Sequence, residues 1–66
     1  MSKWPELKKN AEEGIAGIRS KLLDYDRAYE EGRLEKMLAA AEEIQDHANS
    51  VVVSLTAMAI VAEDES

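Results

Sequence analysis

The sequence predicts an all-α protein: an antiparallel two-helix hairpin that self-associates into a four-helix bundle. Three observations carry that expectation. Apolar residues recur at alternating steps of three and four through two long segments, and a glycine near mid-chain separates them. Phenylalanine is absent, the single proline sits at position 5, and Ala, Glu, Leu and Lys are abundant. Such a composition favours helix over strand.

The first helix is expected from about residue 5 to 31. Pro5 suits a first turn, where its missing N–H is no loss, with Ser2 or Trp4 before it as candidate caps. From there Ala11, Ile15, Ile18, Leu22, Tyr25 and Tyr29 form a heptad seam. Gly32 is the natural stop, because glycine enters the left-handed conformation without a Cβ penalty. After a turn near 32–33, the second seam runs Leu34, Met37, Ala41, Ile44, Ala48, Val51, Leu55, Met58 and Ala62 without a slip. The second helix is expected over about 34–62, with residues 63–66 as a frayed acidic tail. The whole chain, 1–66, reads as one domain.

Two long helices joined by a short turn lie antiparallel. If the turn centres on Gly32, facing residues have numbers summing to about 65, since both helices rise equally per residue. Val51 and Ala48 then face Gly14 and Gly17, and Met58 faces Leu7. The stretch "VVVSLTAMAIVA" at 51–62 is the most apolar in the chain, yet its intrachain neighbour, "PELKKNAEEG", is among the most polar. Val52, Val53, Ile60 and Val61 add apolar surface outside the seam, and a helix apolar nearly all round is normally buried on several sides. A second chain is the expected cover, either another copy or a different protein. Val51, Val52, Leu55, Met58, Ala59 and Val61 are the expected oligomer interface.

Gly14 and Gly17 call for a reason, because glycine inside a helix costs about 1 kcal/mol against alanine. Close approach of the facing helix is one reason; a kink splitting the first helix is the other.

Size and charge narrow the function classes. At 66 residues a lone core supplies only roughly 3–5 kcal/mol, and with no cysteine there is no disulfide to add to it. A net charge of −6 argues against a broad nucleic-acid or anionic-membrane footprint without excluding either. The N-terminal "MSKWPELKKN" has no apolar signal core, and the apolar run at 51–62 is shorter than the ~20 residues of a membrane span. A cytoplasmic, non-membrane protein is the expectation.

No catalytic signature stands out, and the chain reads as non-enzymatic, with no cofactor and no metal. His47 is the only histidine; Glu43, one turn before it, could make half a metal site, but further ligands at E-x-x-H spacing are missing. Glu43 and Asp46 resemble half of the magnesium pattern of all-α nucleotide pyrophosphohydrolases, whose E-x-x-E half is absent here; a solvated acidic face is the better account. Tyr25 and Tyr29 could stack a base, although tyrosines on a seam more often cap a core layer. Arg19 is expected to pair with Asp46 across the hairpin, a contact worth only ~0–1 kcal/mol when exposed.

"IRS" at 18–20 and "DHA" at 46–48 stand in the same ungapped register as similar tripeptides in Rop-like plasmid copy-number regulators, and the seams agree through most of both helices. The chain resembles that family of helical hairpins, which dimerise into four-helix bundles and bind paired RNA hairpins through the first helix. The resemblance implies the architecture more than the RNA face. Gly17 stands where the family has an aromatic contact, Glu13 replaces a neutral polar one and Ala28 a basic one, which leaves Lys21 to serve, with Tyr25 and Tyr29 as further contacts. In plan the chain is also similar to the small hairpin co-chaperone subunits of type III secretion needle complexes, which would imply a hetero-partner. Small phage-encoded inhibitors, many of them acidic helical miniproteins, are a third similarity. The expected role is a homo-oligomeric interaction or regulatory module, a dimer first of all; structured-RNA binding and hetero-partner roles are the alternatives.

Overall fold

The computed structural model describes residues 3–65. Helix α1 spans Trp4–Glu30 and helix α2 spans Leu34–Glu65, so only Lys3 and the three-residue turn lie outside helix. Trp4 is the first helical residue rather than a cap. The cap position belongs to Lys3, which makes no side-chain capping bond, and Pro5 stands in the first turn, where an amide donor is dispensable. Ser2, the other candidate, and Ser66 lie outside the described residues. Helix α2 does not end at Ala62: Glu63, Asp64 and Glu65 continue it instead of fraying.

The turn is built from backbone hydrogen bonds. The Arg33 N–H donates to the Ala28 carbonyl at 2.9 Å and the Gly32 N–H to the Tyr29 carbonyl at 3.0 Å, the paired bonds of a Schellman motif. They require a left-handed residue between the helices, and Gly32 supplies it with φ +68°. No atom lies within 4 Å of where a Gly32 Cβ would sit, so Gly32→Ala carries only the backbone cost, roughly 1 kcal/mol. Urea denaturation at fixed protein concentration should register that loss with helix content unchanged.

Helix α1 is continuous through Gly14 and Gly17; there is no split. The two helices pack along their length into a rod 51 × 14 × 10 Å. Its radius of gyration is 15.3 Å, against about 11 Å for a compact domain of this length.

The packing uses a different half of each heptad from the one the apolar seams suggest. Ala11, Ile18 and Tyr25, with Met37, Ile44, Val51 and Met58, lie along the edge of the contact, as expected. The second contact row is Leu7, Gly14, Lys21 and Ala28 on α1, and Ala40, His47, Ser54 and Val61 on α2. Each stands one residue before the expected row of Ile15, Leu22 and Tyr29, or of Ala41, Ala48, Leu55 and Ala62. The inner row wins because it is small: Gly14, Ala28, Ala40 and Ser54 are all buried and let the backbones approach closely.

The consequence is a core of small residues. Its buried hydrophobic members are Ala11, Ala28 and Ala40, and no large side chain is fully buried.

Candidate functional site

A helix that packs through its inner and shared rows turns its outer row about a quarter-turn away, by the ~100° step per residue of the α-helix. Both helices do so, and because they run antiparallel the two outer rows emerge on the same side of the hairpin. This open face carries Ile15, Leu22 and Tyr29 from α1 and Leu34, Ala41, Ala48, Leu55 and Ala62 from α2. A flanking row on α2, Leu38, Gln45, Val52 and Ala59, widens it. The side chains are wet: Leu34 is 75 % exposed, Leu38 60 %, Val52 61 % and Leu55 51 %. An apolar stripe that follows a helix for most of its length marks an interaction surface.

The six residues expected at the oligomer interface fall into two groups. Val52, Leu55 and Ala59 lie on the open face. Val51, Met58 and Val61 are half-buried on the side that meets α1, so the hairpin itself already covers part of them. The corresponding α1 flank, Glu12, Arg19 and Asp26, is charged and exposed. Leu23, Val53 and Ile60 are exposed apolar residues that point away from the open face, by their place in the heptad.

The facing sum of about 65 is seen directly at the glycines. A Cβ built on Gly14 would lie 2.7 Å from Val51 Cγ2 and 3.2 Å from the His47 carbonyl oxygen. One built on Gly17 would meet the imidazole of His47, with Cε1 at 2.6 Å and both ring nitrogens at 2.7 Å. The His47 ring therefore fills the space that Gly17 leaves, where Ala48 had been expected.

The charged residues sit differently from expectation. Lys21 bridges the helices to Glu43 at 3.1 Å and also reaches Asp24 at 3.4 Å. Arg19 does not pair with Asp46; among the described residues it makes no ion pair, because the inner-row packing brings Lys21 and Glu43 together instead. The hydrogen bond and charge of Glu43, with help from Asp24, raise the Lys21 pKa above the ordinary 10.5 despite some opposing desolvation. A raised pKa in the fold means that the pair supports folding at pH below 10.5, and that this support is lost as pH rises through the raised value.

Glu43 is thus committed to Lys21, and His47 to the glycine surface of α1, so the two do not form half of a metal site. Among the described residues no group of three or more His, Cys, Asp or Glu side chains is placed to hold a metal ion. Tyr25 and Tyr29 sit at the turn end of the open face, 36 % and 68 % exposed. A shallow groove of about 260 Å³ near the turn lies on the opposite face, with an alanine floor including Ala28 and Ala40 and a lip of both charge signs, among them Asp24, Arg27 and Lys36. At the other end of the hairpin, the buried indole Nε1 of Trp4 has no hydrogen-bond partner.

Apolar periodicity located both helices and the stripe, but it missed the inner contact row. The signal for that row was residue size: small side chains at seven-residue spacing, beginning with Gly14. Among the described residues no helix is long and apolar enough to cross a membrane. No family model matches the chain, and no significant match exists among curated proteins or solved structures.

Proposed function

We propose that the protein is a non-enzymatic interaction or regulatory module that works as a homo-oligomer, a dimer of hairpins associated through the open apolar face. The observation that carries this reading is the contrast between that face and the core. The chain fully buries no large apolar side chain, while Leu34, Leu38, Val52 and Leu55 stay in water on one continuous surface. Covering each would contribute about 1.5–3 kcal/mol, as much as the whole margin of a domain this small. Association supplies that cover and stabilises the fold by mass action.

The RNA-binding alternative has less support. Lys21, the one basic residue left to it by the Rop-like resemblance, is held between Glu43 and Asp24. Those acids would repel a phosphate approaching the same ammonium.

Light scattering on the size-exclusion peak, with far-UV circular dichroism of the same material, tests the proposal. A discrete helical species at twice the mass of one chain is expected. A folded monomer refutes self-association, and a weakly helical or polydisperse chain shifts the assignment to a hetero-partner.

A further inference from the structure

We infer that the occupant of the α2 stripe is the same stripe of a second copy, laid antiparallel about a two-fold axis at Ala48. In this arrangement α2 packs on the partner's α2, and α1 on the partner's α1. The inference rests on the self-association proposed above and adds its orientation and register.

The first argument is size. Antiparallel helices bring together residues whose numbers have a constant sum, because both rise equally per residue. With Ala48 on the axis, Leu34 meets the partner's Ala62, Leu38 meets the partner's Ala59, and Leu55 meets the partner's Ala41. Every leucine of the stripe falls on an alanine, the large-against-small alternation that lets facing layers interdigitate. Sliding the partner by one heptad toward the turn sets Leu34 on the partner's Leu55 and Ala41 on the partner's Ala48, which crowds one layer and empties the next. A parallel pairing in register repeats that fault at every layer, with leucine on leucine and alanine on alanine. The stripe is self-complementary in one register.

The second argument is charge. Gly14 faces Val51 and Lys21 faces Glu43, so the axis that passes Ala48 crosses α1 near residue 16. About that point Glu12 comes opposite the partner's Arg19, and Arg19 opposite the partner's Glu12. Arg19 has no ion-pair partner within its own chain, and Glu12 is held on one side only, by Lys8 at 2.9 Å. The rival dimer, with its axis along the bundle, would press the Leu38–Val52–Ala59 flank of α2 against the Glu12–Arg19–Asp26 flank of the partner's α1. That would bury charges against apolar surface with nothing to neutralise them.

The chain has no cysteine, so introduced ones report the register without background. A disulfide forms only where the two Cβ atoms come within about 3.5–4.5 Å. After the mass and helicity of each reduced variant are checked, mild oxidation should link Ala48→Cys to itself. Leu38→Cys and Ala59→Cys should each stay unlinked alone and link to one another when the two chains are mixed and exchanged. Val53→Cys, pointing away, should link in no combination. Chains that remain dimeric by mass but show self-linked Leu38→Cys, or no mixed Leu38–Ala59 product, overturn this register and leave self-association standing. Chains that are monomeric before oxidation overturn both.

Discussion

Val52→Asp should convert the assembled protein to a weakly helical monomer, while Val53→Asp, one residue along, should leave mass and helicity unchanged. Both valines are well exposed in the single hairpin, at 61 % and 68 %. Local environment within the chain therefore does not distinguish them. Their places in the heptad do: Val52 flanks the open face, and Val53 points outward from the same helix. A valine on an assembly face contributes about 1.5–3 kcal/mol by burial, and a carboxylate in its place adds an uncompensated desolvation cost. Two-fold symmetry counts the change twice, so the expected loss is on the order of 5 kcal/mol per dimer, more than a thousandfold in dissociation constant. Helicity should fall with mass because the hairpin alone buries only alanines as its hydrophobic core, too little to hold a rod of this length. Equal behaviour of the two variants in light scattering and circular dichroism would show that the open face is not where the chains meet.

The same comparison shows what the sequence could reveal. The hairpin, the turn at Gly32 and the pairing of Gly14 with Val51 were all legible, because helical periodicity and an equal rise per residue determine them. Which apolar row faces the partner helix was not legible from hydrophobicity. Ile15, Leu22 and Leu55 advertise a seam more loudly than Gly14, Ala40 and Ser54, yet the quieter row is the one inside the chain. Backbones approach most closely where side chains are smallest, and that leaves the larger residues free for a second surface. Hydrophobic patterning reports that a row will be covered; it does not report by which chain. The expected Arg19–Asp46 pair failed for the same reason, since rotating each helix by one row brings Lys21 and Glu43 to the interface. His47 was unreadable as a packing residue because its place depends on the absence of a side chain at Gly17.

The two glycines supply the other large expected effect, and they should respond with different signs. Gly14→Ala should destabilise the protein by about 1–2 kcal/mol, although alanine is the better helix former by about 1 kcal/mol. Its Cβ would sit 2.7 Å from a methyl of Val51 and 3.2 Å from the backbone oxygen of His47. A β-branched side chain has little rotamer freedom in a helix, and the oxygen moves only if the helix does, so the helices must separate. Gly17→Ala meets only the His47 ring, which can swing on its own torsions toward the water it already touches. There the gain in helix propensity offsets the lost ring contact, and the net change should lie between zero and about 1 kcal/mol of stabilisation. Urea denaturation at one protein concentration separates the two, since association makes the midpoint concentration-dependent. Val51→Ala added to Gly14→Ala should recover part of the loss, because it removes the methyl that the new Cβ strikes, and the double-mutant cycle should show favourable coupling. If the two glycine variants shift alike and Val51→Ala adds its full cost to either, the glycines serve something other than close helix approach, and the small-residue account of the inner row fails with them.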